Sequence, residues 1–453
     1  MKNELKTLAL SNWASISFAQ AAMALGAGIL ILSTGTFAWS QQEEAFTPPV
    51  YSVLYTFQGA PDGADPFGDG IGDGNGTGSL AVDREGNLYG TTAEGGSCGS
   101  FGCGVVFKIG PAGEETVLHS FDGADGAVPQ GGVVLDGAGD LYGTTLSGGP
   151  DGYGVIYKLD RAGNYTVLHS FTGGADGNYI YGGLVRDASG NIFGETLFGG
   201  LYGQGVIFKV NRAGNYTVLH SFIGGAAGSN PNGLAVDGQG TLYGTTESGG
   251  SAVNGCNGFG CGVVFKLDRA GKETVLYSFT GGRDGQFPIG GIRLDNAGNL
   301  YGTTIAGGAY GAGVVFKLKT TGEERALYSF TGGADGGNPG SPMVWDYYGN
   351  LYGTTQIGGT SGCGVVFRVN PQGKETVLHT FTQGAGDGCY PQSGLTRVGS
   401  NVLYGTTFFG GLEGGNPQCG TSGCGVVFMM TLPDVSDQME EQREDLGEET
   451  KSE

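Results

Sequence analysis

A four-residue motif, Tyr-Gly-Thr-Thr or a close variant, recurs seven times along the chain at a nearly constant spacing. Successive copies stand 50 to 58 residues apart. Their aromatic residues are Tyr89, Tyr142, Phe193, Tyr243, Tyr301, Tyr352 and Tyr404. Self-similarity at a fixed period of this length is typical of a repeat architecture, in which each unit buries its apolar faces against the next. The repeat therefore limits the possible folds more than any other feature of the sequence.

One repeat unit contains four short apolar runs separated by turn residues. In the unit that begins at Gly233 these runs are GLAVD, TLYGTT, GVVFKL and ETVLYSF. Their alternating β-branched, aromatic and polar residues predict strands, which we name a, b, c and d in chain order. No stretch of the repeats has the length or the period of a helix. Seven such units predict an all-β fold, a seven-bladed β-propeller with four antiparallel strands per blade, over residues 51–430.

Glycine is abundant but follows the same period as the repeat. The chain has 96 glycines among 453 residues, a fraction that approaches that of low-complexity sequences. Apolar residues nevertheless make up 39% of the chain and recur in phase with the glycines. The glycines are therefore expected in turns between strands, where positive φ angles are needed.

The copies of strand d are out of step with the units. The first copy, YSVLYTF at residues 51–57, precedes the first complete unit, whereas the last unit ends after CGVVFMM, a strand c. A closed ring accounts for both observations, because the first strand would then complete the last blade as its outer strand. An open solenoid would instead leave its edges exposed.

The unit PNGLAVDGQGTLYGTT…GVVFKLDRAGKETVLYSF is similar to the NHL group of propeller repeats. It resembles most closely the GloVer-type tandem repeat of bacterial extracellular proteins, the choice-of-anchor group, over residues 51–430. The resemblance implies export and surface display, and it supplies no catalytic residues. Members often end in an anchoring segment, whereas this chain ends in an acidic stretch, residues 431–453, which is expected to be a disordered tail.

The N-terminus and the charge restrict the compartment and the partners. Residues 1–40 read as a signal peptide, with Lys2 and Lys6 before an apolar stretch, and residues 41–50 read as a linker. The net charge is −21 and the sequence contains no stripe of basic residues, so nucleic acid is not an expected partner. The prediction is a secreted monomer, extracellular, periplasmic or at the cell surface, with no membrane span after signal cleavage.

Eight cysteines fit an exported, oxidised protein. Disulfides are favoured over zinc because the spacing is not that of tight paired ligand sets. The expected bridges are Cys98–Cys103, Cys256–Cys261, Cys419–Cys424 and Cys363–Cys389. In a four-stranded meander the b–c loops and d–a connections that carry these cysteines emerge on one face of the disc. The bridges would either only staple these loops or also pre-organise a binding surface.

The same face is predicted to carry an acidic ring on the d–a connections. Its members are Asp62, Asp125, Asp176, Asp284, Asp335 and Asp387, and Ala227 interrupts the ring. Asp-Gly turn chemistry explains the pattern, and the alternative is a rim that binds cations or glycans. The first connection, DGIGDGNG, weakly resembles a calcium loop. Its candidate metal ligands are Asp69, Asp73 and Asn75, and calcium is the single cofactor that the sequence suggests.

Candidate chemistry is sparse elsewhere. His119, His169, His220 and His379 share one position of strand d and are therefore interpreted as structural, since catalysis needs one singular oriented group. Departures from the repeat are more informative. The candidate ligand-binding residues are Arg186, Glu195, Arg293, Trp345 and Arg397. Arg186 is expected to face Phe193 across the hairpin and to pair with Glu195, as an isolated ion pair or as part of a polar patch near the central channel.

Together these features favour a non-catalytic binding or interaction module that uses the disulfide-stapled face. Its partner would be an extracellular ligand, either a glycan or a protein at a cell surface. The alternative is a lyase or hydrolase that acts on a polysaccharide or a lactone with a metal in the channel. An enzyme is the less favoured reading, because no nucleophile–base pair is visible. A purely structural envelope component is the third possibility.

Overall fold

Seven antiparallel sheets of four strands each form the part of the chain that the structure, a computed structural model, describes. The described residues are 48–64, 79–98, 102–251, 256–384, 386–411 and 422–433. They belong to one unit, Phe46–Glu453. The expected signal peptide, the calcium-like loop and nearly all of the expected acidic tail lie outside these ranges. The seven-bladed propeller predicted from the repeat is confirmed.

The blades follow one another along the chain, and each contains strands a to d in order. Blade 1 comprises β2 (Ala81–Val82), β3 (Leu88–Thr92), β4 (Val105–Ile109) and β5 (Glu115–Ser120). Blade 2 comprises β6 (Val133–Leu135), β7 (Leu141–Thr144), β8 (Val155–Leu159) and β9 (Tyr165–Ser170). Blade 3 comprises β10 (Val185–Arg186), β11 (Ile192–Thr196), β12 (Val206–Val210) and β13 (Tyr216–Ser221). Blade 4 comprises β14 (Ser229–Val236), β15 (Leu242–Ser248), β16 (Val263–Leu267) and β17 (Glu273–Ser278).

The remaining blades repeat this order with one change at the end. Blade 5 comprises β18 (Ile292–Leu294), β19 (Leu300–Thr304), β20 (Val314–Leu318) and β21 (Glu324–Ser329). Blade 6 comprises β22 (Val344–Trp345), β23 (Leu351–Thr355), β24 (Val365–Val369) and β25 (Glu375–Thr380). Blade 7 comprises β27 (Thr396–Val398), β28 (Val402–Thr407), β30 (Val426–Thr431) and β1 (Val50–Thr56). A separate two-stranded ladder joins β26 (Gly388–Cys389) to β29 (Phe409–Gly410).

The outer strand of blade 7 comes from the start of the described chain. Strand β1 pairs antiparallel with β30, and Val53 lies opposite Phe428 while Thr56 lies opposite Val426. The side chain of Thr396 in β27 also donates a hydrogen bond of 2.6 Å to the carbonyl oxygen of Leu80, just before β2. Blade 7 thus takes its outer strand from β1, and its inner strand bonds to the chain just before β2.

Apolar side chains fill the spaces between neighbouring blades. Strand c supplies most of them: Val106 and Phe107 of β4, for example, are wholly buried. Seven buried clusters are resolved, and each lies between two consecutive blades, including the pair formed by blades 7 and 1. No blade covers both of its own faces, so each depends on its neighbours for burial, as expected for a propeller.

The glycine of the repeated motif has a packing role. At Gly90, a Cβ atom would lie 2.5 Å from the ring of Phe107 on the neighbouring strand c. The corresponding glycines of the other blades face the corresponding aromatic rings just as closely. Because a methyl group would displace the largest buried side chain of the blade, the motif requires glycine at this position.

The b–c loops and d–a connections meet on one side of the disc. Short bridges join them, for example Ala127 to Ser147 and Asn178 to Phe198. We call this side the loop face; its described b–c loop residues fall within 93–98, 102–104, 145–154, 197–205, 249–251, 256–262, 305–313, 356–364, 408–411 and 422–425. Its described d–a connections fall within residues 57–64, 79–80, 121–132, 171–184, 222–228, 279–291, 330–343, 381–384 and 386–395. The a–b and c–d turns form the opposite side, the turn face.

Helical structure in the described ranges is limited to two 3-10 turns, Gly225–Ala227 and Cys256–Gly258. In the same ranges, no helix has the length and apolar character that crossing a bilayer requires.

Candidate functional site

Disulfides staple the loop face. Cys98 bonds to Cys103 and Cys256 to Cys261, each within one b–c loop. The bridge between Cys363 and Cys389 joins a b–c loop to the following d–a connection. These three predicted pairings are confirmed. A fourth bridge includes Cys424, whose predicted partner, Cys419, lies outside the described residues.

The aspartates of the predicted acidic ring are engaged by the protein itself. In six blades the histidine or tyrosine near the end of strand d lies within hydrogen-bonding distance of the aspartate that follows it. These pairs are Tyr55–Asp62, His119–Asp125, His169–Asp176, Tyr277–Asp284, Tyr328–Asp335 and His379–Asp387, at 2.7–3.2 Å. Turn chemistry adds further donors: the amide and hydroxyl of Thr280, for instance, both bind Asp284. The carboxylates therefore stabilise the connections, as the turn interpretation predicts.

The same contacts extend from each blade to the next. Where strand d ends with histidine, the next blade begins its strand d with a tyrosine that stacks on the imidazole. The rings of His119 and Tyr165 lie 4.0 Å apart between centroids, and the Tyr165 hydroxyl donates to the carbonyl of Asp125 at 2.7 Å. The pairs His169–Tyr216 and His379–Tyr51 repeat the stacking. We call these outer contacts the inter-blade latches.

Where strand d ends with tyrosine, the next blade supplies a glutamate. Glu115, Glu324 and Glu375 occupy this place beside Tyr55, Tyr277 and Tyr328, respectively. Burial, together with the nearby aspartate of the preceding connection, raises the pKa of each of these glutamates to about 7. Partly protonated carboxyl groups thus contribute to these latches near neutral pH.

The latch between blades 3 and 4 is the exception. Ala227 replaces the aspartate, and Nε2 of His220 instead lies 3.1 Å from Oε2 of Glu273 in the next blade. The four histidines are therefore all part of latches, which agrees with their structural interpretation.

Exposed apolar side chains are concentrated on the loop face of blades 2 to 5. Eight of the twelve exposed large apolar residues in the described chain lie on these loops. They are Tyr153, Tyr179, Phe198, Leu201, Tyr202, Ile223, Phe259 and Tyr310. We call this group the aromatic patch. Exposed apolar clusters on soluble proteins commonly mark sites of interaction.

The centre of the aromatic patch lies around the loop face of blade 3. The rings of Tyr179 and Phe198 meet edge to face with centroids 5.7 Å apart. The backbones of Asn178 and Phe198 also exchange two hydrogen bonds, because the amide of each donates to the carbonyl oxygen of the other. Tyr202, at the tip of the same b–c loop, is 59% exposed. Backbone bonds thus hold the loops that carry these rings, while the rings themselves remain available to a ligand.

A central cavity of about 400 Å³ runs along the inner strands. Residues of strands a, such as Ala81, Val133 and Ile292, line it, and its surface is about as polar as it is apolar. Two of the predicted site residues, Arg186 and Arg293, also line it. The structure therefore brings these two cations to one cavity.

The predicted pairing of Arg186 with Glu195 is wrong. Val185 lies opposite Phe193, whereas Arg186 lies opposite Ile192, one residue from the expected register. Since successive side chains of a strand point to opposite faces, Arg186 and Glu195 project from opposite faces of blade 3. Arg186 instead lies near Asp136 of blade 2. Burial raises the pKa of that carboxyl, but hydrogen bonds from backbone amides and the charge of Arg186 lower it, and the net effect is a lowered pKa.

Glu195 is buried between blades 3 and 4. Only 1% of the residue is exposed. Its Oε1 accepts a 2.9 Å hydrogen bond from the Gly233 amide, and its Oε2 has no hydrogen-bond partner among the described residues. Burial raises the pKa of Glu195 to about 8, against the effect of the Gly233 hydrogen bond. The side chain is thus largely a neutral acid at pH 7.

Trp345 and Arg397 lie in consecutive blades and meet through the backbone. The Arg397 guanidinium donates to the carbonyl of Trp345 at 3.4 Å and to that of Ser400 at 2.5 Å. It also lies 5.5 Å from the ring centroid of Tyr347, on the turn face. The indole of Trp345 meets Tyr301 of blade 5 edge to face. Among the described residues, neither Trp345 nor Arg397 lines the central cavity.

Metal ligands remain a prediction. Asp69, Asp73 and Asn75 lie outside the described residues. In the ranges that are described, no three His, Cys, Asp or Glu side chains come together in a way that could hold a metal ion.

Sequence reasoning missed the latches and the aromatic patch. A signal for the latches exists: units ending strand d with histidine are followed by tyrosine, or once by glutamate, at the first position of the next strand d. The patch residues stand singly in glycine-rich loops, where the sequence alone does not distinguish exposed from buried rings.

Solved structures with similar folds are distant in sequence. A gluconolactonase of Xanthomonas campestris matches at 16% identity and a TM-score of 0.41, over 69% of this chain and 88% of its own. A PQQ-bound aldose sugar dehydrogenase of Streptomyces coelicolor matches at 12% identity and a TM-score of 0.41, over 85% and 99%. The extracellular domain of a two-component system of B. thetaiotaomicron matches at 14% identity and a TM-score of 0.49, over 85% of this chain and 43% of its own.

No protein of curated function matches the sequence. The Gloeobacter/Verrucomicrobia repeat matches it twice, at residues 45–258 and 255–440. The two matches together cover the propeller and far more than half of the chain. The chain therefore belongs to the Gloeobacter/Verrucomicrobia repeat family.

Proposed function

We propose that the protein is an exported, non-catalytic binding module whose ligand is a neutral glycan bound on the loop face. The observation that carries the proposal is the aromatic patch, a group of exposed apolar side chains on loops that are held by backbone hydrogen bonds and, around Phe259, by the Cys256–Cys261 disulfide. The disulfides also support the extracellular location, because such bonds persist in oxidising compartments.

The chemistry of the patch suits a carbohydrate. Aromatic rings offer flat apolar faces with little conformational entropy to lose, and tyrosines add a polar hydroxyl at the edge. Tyr179, Phe198 and Tyr202 combine both features on adjacent loops. The net charge of −21 opposes the approach of a polyanionic polymer. A neutral polysaccharide meets no such repulsion.

The test compares variants on the two faces. The double variant Phe198→Ala/Tyr202→Ala removes two exposed rings from the patch, whereas the control Tyr347→Ala removes a ring that is 89% exposed on the turn face. Binding would be measured by affinity electrophoresis and calorimetry against neutral and sulfated polysaccharides. Stacked rings contribute about 0.5–1.5 kcal/mol each, so the double variant should bind a neutral glycan about tenfold more weakly.

The control should bind as the wild type does. Absence of binding to any neutral glycan, equal weakening in both variants, or a preference for sulfated polymers would contradict the proposal. Because the substituted side chains are exposed, the unfolding temperature of each variant should equal that of the wild type. A lower unfolding temperature would identify a folding defect.

A further inference from the structure

The third position of strand a is small or uncharged in every blade but one. The residues there are Ala81, Val134, Val185, Ala235, Arg293, Val344 and Thr396. In the other blades this side chain packs toward the following blade, as Ala235 does in the cluster between blades 4 and 5. Arg293 thus places a guanidinium at a position where the fold otherwise packs an aliphatic or hydroxyl side chain.

Arg293 has no protein partner within the described residues. It lines the central cavity, and no hydrogen bond or ion pair joins its guanidinium to another described side chain or backbone group. Burial lowers its pKa, and no acidic group opposes that effect. The nearest acid in its own hairpin, Asp295, is occupied: it accepts hydrogen bonds from Asn299, from the amide of Ala297 and from the hydroxyl of Tyr301.

A second uncompensated cation lies in the same row of blade 5. Arg293 faces Tyr301 across the hairpin, and Tyr301 faces Lys317, whose Nζ lies 4.9 Å from the tyrosine ring centroid. In blade 2 the equivalent lysine, Lys158, pairs with Asp140 at 2.6 Å. Blade 5 has an asparagine in place of that aspartate, as blades 1 and 3 do, and Lys317 has no carboxylate partner among the described residues.

A partly buried charge without a counter-charge is costly, because desolvation of an ion is unfavourable unless a partner offsets it. The chain has a net charge of −21, yet none of its described carboxylates pairs with this arginine. The cavity has the size of a small-molecule site, and Arg186 and Arg293 are charged groups on its wall that could orient a ligand. These features point to a ligand that brings the missing negative charge.

We propose that the central cavity binds a small organic oxyanion, whose carboxylate or phosphate group is held by the guanidinium of Arg293. The planar guanidinium suits both groups because it offers two parallel N–H donors. Arg186 on the wall formed by blade 3 adds positive charge to the same cavity. The site is separate from the aromatic patch, and neither proposal depends on the other.

The experiment measures the unfolding temperature of the full propeller with D-glucuronate, glucose 6-phosphate and neutral glucose at matched ionic strength. The two anions distinguish carboxylate from phosphate recognition, and glucose controls for the sugar itself. At least one anion should stabilise the wild type saturably, and glucose should not. Arg293→Ala, which installs the residue of blades 1 and 4, should weaken the binding of that anion about tenfold or more.

Two further variants and the ligand-free state complete the test. Arg293→Lys keeps the charge without the paired donors and should weaken binding less than alanine does, whereas Arg325→Ala, on the exposed outer strand of the same blade, should bind normally. Without ligand, Arg293→Ala should unfold at a higher temperature than the wild type, because it removes a partly buried charge that has no counter-charge. The proposal is overturned if neither anion stabilises the wild type, if stabilisation survives in Arg293→Ala, or if the ligand-free variant is less stable.

Discussion

Replacing Glu195 with glutamine should change how stability depends on pH. The carboxyl is almost completely buried, and its pKa rises from 4.5 to about 8 on folding. The folded state therefore binds this proton more tightly than the unfolded state does. The resulting stabilisation is complete below pH 4.5 and is lost progressively as the pH rises to about 8. Glutamine cannot ionise and keeps the carbonyl that accepts from the Gly233 amide.

The magnitude follows from the size of the shift. The pKa difference is about 3.5 units, and each unit corresponds to about 1.4 kcal/mol. Between about pH 5.5 and about pH 9, the linkage relation removes about 3 kcal/mol of stability from the wild type through this group. Glu195→Gln has no ionisable group at this position and should therefore keep this stability as the pH rises. The variant should therefore gain about 3 kcal/mol relative to the wild type over the same range.

The assay is urea unfolding at a series of pH values with the disulfides intact. Trp345 is the one tryptophan after residue 40 and lies between two blades, so its fluorescence reports on their separation. The latch glutamates also titrate in this range, but they are common to both proteins and cancel in the difference. Glu114→Gln, at an exposed position, serves as the control. If the curves of wild type and Glu195→Gln run parallel from about pH 5.5 to about pH 9, the reasoning is refuted.

The disulfides and the exceptional latch between blades 3 and 4 give two further predictions. The double variant Cys363→Ser/Cys389→Ser opens a loop of 26 residues and should cost about 3.5 kcal/mol in chemical unfolding, against about 2 kcal/mol for a bridge that closes five residues; equal losses would argue against the loop-entropy account. Ala227→Asp should stabilise the protein by about 1 kcal/mol, because it restores the aspartate that lies beside the strand-d histidine in other blades. An unchanged or lower stability in thermal unfolding would contradict this.

The blade structure was predictable because its signals are local and repeated seven times. Tight turns, alternating strands and cysteines in loops of one face determine the sheets and the three described bridges, including Cys363–Cys389, which spans two loops. The register of β10 was not predictable in the same way. That strand has two residues, and a shift of one residue moves a side chain to the opposite face. The expected contact between Arg186 and Glu195 failed for this reason.

The candidate sites depend on contacts between blades, which the sequence of one repeat unit does not show. Arg293 departs from the repeat, so it could be selected from the sequence, but its lack of an acidic partner becomes visible only when blades 5 and 6 are placed side by side. The loop aromatics are ordinary in composition. Their exposure follows from how the b–c loops lie on the connections, which no single unit determines.

The junction of β1 with β30 has a consequence for biosynthesis. About 370 residues separate Thr56 from its partner Val426, so the ribosome or the export machinery must release almost the entire chain before this pair can form. Until then the edge of the terminal sheet has unused amides and carbonyls, which invite pairing with another molecule. Nascent chains held at this stage would be the species most in need of a chaperone.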